Sequence, residues 1–189
     1  MELFRNLRIR AGKTILAGKM SKITRRPHYI NFFNIKTIGL IWDASQTDEF
    51  VLLSRFHQKM SEHNIAVRIL GYYPGKKLPD QYTAIRFLTC LKKNEVDFLY
   101  RPVTPDSNEF IKSRFDVLID INFRKQFPLV YASSLSQAGL KVGLADSSPE
   151  SSPYDLMISI KNPVNIEKYL EQVLIYLEMI NSKTAKKAV

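Results

Sequence analysis

Residues 115–144 read FDVLIDINFRKQFPLVYASSLSQAGLKVGL, the pattern of a strand, a helix and a second strand. Residues 115–122 are rich in branched apolar side chains, which is typical of a strand buried on both faces of a parallel sheet. Pro128 stands near the first turn of the helix predicted over 127–139, which ends at a glycine. A second strand is predicted over 140–146. Because a helix separates the two strands, they are expected to pair in parallel through a right-handed crossover.

The same alternation continues on both sides of this unit. We predict further strands at 36–44, 66–73 and 154–160, and helices at 47–64 and 165–181. The part in between is less regular: residues 82–90 fit either an edge strand or half a helix, and residues 106–115 fit one short helix. The sequence therefore predicts an α/β fold, a three-layer α/β/α, Rossmann-like open sheet of five or six mostly parallel strands, with a basic N-terminal helix.

The quoted stretch resembles the strand–helix–strand unit of the acceptor-side domain in heptosyltransferase-like glycosyltransferases. The shared features are a strand that ends in an aspartate, Asp120, a long helix rich in small residues, and a following strand of the VGL kind (142–144). That family has a second domain for a nucleotide sugar, for which this chain is too short, so no catalytic residue carries over. The whole chain also resembles small, uncharacterised α/β proteins of Bacteroidota, which implies a fold and a cytoplasmic, bacterial protein but no activity.

Basic residues are concentrated at the two ends of the chain, whose net charge is +10. Residues 1–36 contain nine Lys and Arg and a single acid, Glu2, and residues 182–189 add three lysines. Residues 37–181 are nearly neutral, with 16 basic and 17 acidic side chains. We therefore divide the chain into a basic amphipathic arm (1–35), one α/β domain (36–181) and a basic tail (182–189).

Length and composition narrow the class of protein. With 189 residues, of which 45% are hydrophobic, the chain is expected to form one globular domain. No apolar run reaches the roughly 18 residues of a membrane span, and the start lacks the apolar core of a secretory signal. Cys90 is the only cysteine, which excludes an internal disulfide. We expect a cytoplasmic protein.

The sequence contains no recognisable catalytic or nucleotide-binding motif. The tetrapeptide AGKT at 11–14 lacks the glycine that a phosphate-binding loop needs five residues before Gly12. The strand predicted at 36–44 is not followed by a glycine-rich turn. His57 and His63 lie on one predicted helix but not on a common face, which argues against a shared metal ion. Whether the protein is an enzyme stays open at this point.

Polar residues follow several predicted strands at their carboxyl ends. In a parallel sheet these ends meet along one edge, where ligands bind. Carboxylates and hydroxyls suit Mg²⁺ or the hydroxyls of a sugar or nucleotide, although the same residue types also favour turns after strands. No other cofactor is expected. One interpretation is a small enzyme or ligand sensor that binds at a rim formed by Asp43, Ser45, Asp120, Asn122, Asp146 and Ser147.

The basic arm offers a second place for function. If residues 2–18 form a helix, one face carries an apolar stripe of Leu3, Phe4, Leu7, Ala11 and Ile15. Ile9 and Leu16 do not follow that stripe. The stripe would pack on the domain, or on a second copy to form a homodimer, and the basic face would then point to solvent.

The charge of the arm indicates an anionic partner. RNA or the ribosome comes first among these partners, because each phosphate neutralised by Lys or Arg adds to the affinity. An anionic membrane surface comes after it, because few apolar side chains face one way. The favoured hypothesis is a non-catalytic α/β binding module whose contacts with RNA or another polyanion are Arg5, Arg8, Arg10, Lys13, Lys19, Lys22, Arg25 and Arg26.

Overall fold

The computed structural model describes residues 2–83, 85–145, 152–161 and 164–180. The strands are β1 (Thr37–Asp43), β2 (Ala66–Tyr72), β3 (Leu88–Leu91), β4 (Val117–Ile121), β5 (Leu140–Leu144) and β6 (Leu156–Ile158). The α-helices are α1 (Glu2–Met20), α2 (Phe50–Glu62), α3 (Pro105–Lys112), α4 (Phe127–Leu135) and α5 (Ile166–Met179). None of these helices is both long and apolar enough to cross a membrane.

The strands form one sheet in which all neighbours run parallel, in the order β3-β2-β1-β4-β5-β6. Side chains alternate along β1, so that Leu40 and Ile41 point to opposite faces. Leu40 packs in a core with residues of α2 and α5, whereas Ile41 packs with residues of α3 and α4. The predicted three-layer, Rossmann-like architecture is therefore confirmed, with six strands.

The irregular part of the sequence contains one of the two edge strands of the sheet. Residues 88–91 form β3, which pairs with β2 with Leu70 opposite Thr89 and Gly71 opposite Cys90. The edge-strand interpretation of 82–90 is therefore right and the helical one is wrong. The short helix predicted at 106–115 is α3, which begins after Thr104, whose hydroxyl accepts a hydrogen bond from the Ser107 amide.

Helix α4 is shorter than its sequence predicts. It ends at Leu135, four residues before the glycine that was expected to mark its end. The reason is tertiary: Gly139 donates its amide to the Phe115 carbonyl, and Leu140 donates to the Asp116 carbonyl. These bonds pull residues 136–139 away from the helix toward the start of β5.

Helix α1 lies on the outer side of α4, and it docks with a face that its sequence pattern did not indicate. Ile9 and Leu16 pack with Phe127 and Tyr131 of α4. A Cβ at Gly12 would lie 2.7 Å from a Phe127 ring carbon, so α1 and α4 approach closely here. The expectation that the stripe with Phe4 and Leu7 packs on the domain is wrong, because those side chains are exposed.

The chain after α1 is anchored to the end of the sheet where the strands begin. Arg25 forms a two-pronged ion pair with Asp155, at 2.6 and 2.7 Å, and also donates to the carbonyls of Ala138 and Gly139. The amide of Lys141, the second residue of β5, donates to the same Asp155 carboxylate at 2.8 Å. The arm is thus bonded to the sheet through residues before β5 and β6.

Candidate functional site

An apolar patch that is formed by α1 and by the segment between β3 and α3 is open to solvent. Phe4 and Leu7 are 69% and 54% exposed, and Phe98, from the segment between β3 and α3, is 71% exposed. Together with Ala11 they line a shallow groove. We call this patch and the basic residues around it the α1–hairpin face: Phe4, Arg5, Leu7, Arg8, Arg10, Ala11, Lys13 and Phe98.

Phe98 is presented by a short hairpin of fixed geometry. Val96 and Pro102 form an antiparallel bridge at its base. The Asp97 carboxylate accepts hydrogen bonds from the amides of Leu99 and Arg101 and pairs with the Arg101 guanidinium at 2.6 Å. Burial acts to raise the pKa of Asp97, but these hydrogen bonds outweigh it and lower the pKa. The Asp97 side chain therefore holds the loop around Phe98.

Arg8 joins α1 to this hairpin. Its guanidinium carbon lies 4.1 Å from the ring centre of Phe98 and 4.7 Å from that of Tyr100, within the range of cation–π contacts. The Arg8 Nε also donates to the Phe98 carbonyl. Arg5 lies 5.9 Å from the Tyr100 ring centre. The hairpin and α1 thus form one continuous surface.

The eight basic residues predicted to contact a polyanion occupy different environments. Arg5, Arg10 and Lys13 are exposed on α1, and Lys22 and Arg26 are exposed beyond its end. Arg8 stacks on the hairpin, and the Lys19 ammonium lies 5.5 Å from the Tyr131 ring centre. Arg25 is committed to the ion pair with Asp155, so its guanidinium serves the fold.

The rim residues of β1 bond to one another. Asp43 is buried, and its carboxylate accepts from the Ser45 amide at 3.1 Å and from the Gln126 side chain at 3.5 Å. The Ser45 hydroxyl accepts from the Arg124 guanidinium at 3.2 Å. Asp43 and Ser45 therefore contribute to a local network that ties the end of β1 to the segment after β4.

Asp120 is also bonded within the protein. Its carboxylate accepts from the Asn122 amide at 2.8 Å and from the Tyr154 hydroxyl at 2.6 Å. Burial of the carboxyl raises its pKa, although the Tyr154 hydrogen bond opposes the shift. The Tyr154 ring reaches Asp120 by lying against Gly143, where a Cβ would overlap the ring. Tyr154 was not predicted as a site residue, and the glycine inside β5 was the available signal for it.

A cavity of about 210 Å³ lies beside these groups at the carboxyl ends of β4 and β5. Asp146 and Ser147, the other two rim residues, lie outside the residues that the structure describes. In the described ranges, no group of three His, Cys, Asp or Glu side chains is placed to hold a metal ion. The residues that line the cavity are Asp120, Asn122, Phe123, Lys125, Val130, Leu144, Ala145, Ser152, Pro153 and Tyr154.

Comparison with known proteins identifies a family but not an activity. The model of a family of unknown function, DUF6913, matches residues 8–180. The chain belongs to this family. The match covers the docked half of α1, the hairpin and the whole sheet through α5. No curated protein and no solved structure matches the chain.

Proposed function

We propose that this DUF6913 protein is a non-catalytic binding module that contacts a polyanion through α1. The observation that carries the proposal is the position of α1, which is packed on α4 and still exposes Arg5, Arg10 and Lys13 to solvent. Residues 37–181 are nearly neutral, so most of the net positive charge comes from the arm, and the three lysines of the tail supply the rest. The proposal includes a cytoplasmic location in a bacterium.

The geometry supports a surface contact rather than a reaction. Cys90 sits in surroundings where burial raises the pKa of its thiol to about 12, so the thiolate that a nucleophile requires is scarce at neutral pH. Asp43 and Asp120 are engaged in internal hydrogen bonds. RNA, which the sequence favours, and anionic lipid both offer the phosphate chemistry that α1 would recognise.

Binding of a fluorescently labelled oligouridine, a simple polyanion probe, tests this proposal. We expect log Kd to depend steeply on log salt, and the double variant Arg10→Gln/Lys13→Gln to reduce that slope by about 1.4, since each lost phosphate contact removes about 0.7. Fluorescence anisotropy in a salt series measures both.

The matched control carries the same charge change elsewhere. Lys76→Gln/Lys77→Gln removes two exposed lysines from the loop after β2. If this control weakens binding as much as the α1 variant does, the contact is not localised to α1 and the proposal fails. It also fails if the full chain binds neither oligouridine nor anionic vesicles at low salt.

We propose a small enzyme or ligand sensor for a sugar or nucleotide as a second candidate, which the cavity beside Asp120 and Asn122 favours. A ligand that binds only the folded state raises the melting temperature. Thermal shifts with UDP-glucose or ADP, with and without Mg²⁺, are expected to be positive for the native chain. They should be lost in Asn122→Ala. The absence of a shift with either nucleotide, with or without Mg²⁺, would contradict this candidate.

A further inference from the structure

We propose that the α1–hairpin face docks onto an anionic lipid surface. The inference rests on the proposed polyanion contact and names the class of its partner. Three features of the face carry it: exposed apolar side chains, a fixed hairpin that presents one of them, and basic residues on both flanks of the apolar stripe.

Phe4 and Leu7 are exposed and do not take part in the described contact between α1 and α4. The face of α1 that touches α4 is formed by Ile9, Gly12 and Leu16. At 3.6 residues per turn, Phe4 and Leu7 project about 110° and about 170° away from the centre of that face, toward solvent. They therefore remain exposed because the helix is fixed in its orientation by its contact with α4.

The hairpin places a third large apolar side chain in line with this stripe. Phe98 is 71% exposed although the loop that carries it is held by the hydrogen bonds of Asp97. A side chain that is ordered before it binds loses less conformational freedom on insertion. Phe98, Phe4 and Leu7 thus form a preorganised apolar edge that suits the boundary between head groups and acyl chains.

The positions of the charged side chains indicate which kind of partner binds the apolar edge of Phe98, Phe4 and Leu7. Arg8 and Arg10 lie on opposite flanks of the apolar stripe, about 60° and about 100° from its centre at 3.6 residues per turn. The exposed Arg10 side chain can reach lipid phosphates while the stripe enters the apolar layer, whereas Arg8 is held on the hairpin by its contacts with Phe98 and adds positive charge beside the apolar side chains. Pairing with a second copy through the same stripe would bring the arginines of both chains together, and like charges repel.

RNA makes less use of the same surface. Aromatic rings stack on bases, which would employ Phe4 and Phe98, but Leu7 and Ala11 offer nothing for a base to stack on. An aliphatic stripe gains from leaving water, and a phosphate backbone does not provide an apolar environment for it. The combination of an aliphatic stripe with arginines therefore favours a lipid surface.

Co-sedimentation of the full chain with vesicles tests the proposal. We expect binding to phosphatidylcholine vesicles that contain phosphatidylglycerol, and little binding to phosphatidylcholine alone. The double variant Leu7→Ser/Phe98→Ser, which keeps every charge, should bind the anionic vesicles at least about tenfold more weakly than the native chain does. The matched control is Ile175→Ser/Met179→Ser, which removes two exposed apolar side chains from α5 and should bind like the native chain.

Each other outcome overturns the proposal in a recognisable way. Retained vesicle binding by Leu7→Ser/Phe98→Ser, with an unchanged melting temperature, would show that the apolar edge is not used. Binding of oligouridine without binding of vesicles would leave the polyanion function intact and remove lipid as the partner. Binding of neither probe would remove both. Self-association that the same variant abolishes, without vesicle binding, would identify a second copy as the occupant.

Discussion

Arg25→Ala is expected to lower the free energy of unfolding by about 3 kcal/mol, the loss typical of removing one partner from a buried ion pair. The side chains of Arg25 and Asp155 are only 14% and 10% exposed, so water cannot replace the lost contacts fully. The substitution also removes the donor that serves the carbonyls of Ala138 and Gly139. Urea unfolding followed by the fluorescence of the single, fully buried tryptophan, Trp42, measures the loss.

The neighbouring arginine provides the matched control. Arg26 is exposed, so Arg26→Ala removes the same type of side chain without breaking a buried pair. Its effect is expected to stay within about 0.5 kcal/mol. Equal effects of the two substitutions would show that the ion pair with Asp155 does not anchor the arm.

Arg25→Ala should also change how the free energy of unfolding depends on pH. Burial and the nearby Arg25 charge lower the pKa of Lys141 to about 7, whereas it is 10.5 in the unfolded chain. Between these values the unfolded state binds more protons, so stability rises with pH in the native protein. Without Arg25 the folded pKa moves upward toward 10.5, and this rise should become shallower. If the free energy of unfolding rises with pH as steeply in Arg25→Ala as in the native protein between pH 7 and 10, the Arg25 charge does not lower the pKa of Lys141.

Gly12→Leu is expected to detach α1 from the domain. A Cβ at this position would lie 2.7 Å from the Leu99 carbonyl oxygen and 2.7 Å from the Phe127 ring, and the carbonyl belongs to the backbone and cannot turn aside. Overpacking of this kind costs about 1–3 kcal/mol, more than the roughly 1 kcal/mol that replacing a helical glycine returns. Hydrogen–deuterium exchange of the α1 amides should rise strongly, while that of β1 and β4 should stay unchanged.

A second glycine of α1 supplies the control. A Cβ at Gly18 would have no heavy atom within 4 Å, so Gly18→Leu has room and should slow exchange in α1 through better helix propensity. If exchange of the α1 amides is faster in Gly12→Leu and slower in Gly18→Leu, the close packing at Gly12 is the cause of the detachment. If both variants slow exchange, α1 is not docked through Gly12.

The sheet followed from the sequence because its strands are buried on both faces. Such strands need apolar side chains at nearly every position, as β1 and β4 show, and the helices between them fix a parallel arrangement. Edge strand β3 was ambiguous because it is short and only partly covered, with Thr89 and Cys90 half-buried. The end of α4 was misplaced because Gly139 and Leu140, which follow the helix, donate hydrogen bonds to residues before β4, far away in the chain.

The candidate site was only partly predictable, for reasons that its residues make clear. The apolar stripe with Phe4 and Leu7 and the true docking face with Ile9 and Leu16 lie on different sides of one helix, and a periodic pattern cannot show which side meets the domain. Gly12 adds nothing to an apolar pattern, although it permits the contact with α4.

The hairpin escaped prediction because side-chain contacts create it. The hydrogen bonds that Asp97 accepts hold the loop in which Phe98 is exposed, and such bonds leave no periodic pattern in the sequence. The rim residues Asp120 and Asn122 do lie beside one cavity, as the carboxyl ends of parallel strands suggested. The hydrogen bond from Tyr154 that occupies the Asp120 carboxylate depends on a residue 34 positions away.

The most direct test of the lipid-docking surface is the quenching of a tryptophan at position 98 by lipids brominated along their acyl chains. In Phe98→Trp, the native Trp42 is fully buried and serves as an internal reference that the bromines do not reach. We predict that anionic brominated vesicles quench the added tryptophan and leave the fluorescence of the native chain unchanged. Bound protein whose added tryptophan is not quenched would contradict insertion of the hairpin into the apolar layer, and with it the lipid-docking account.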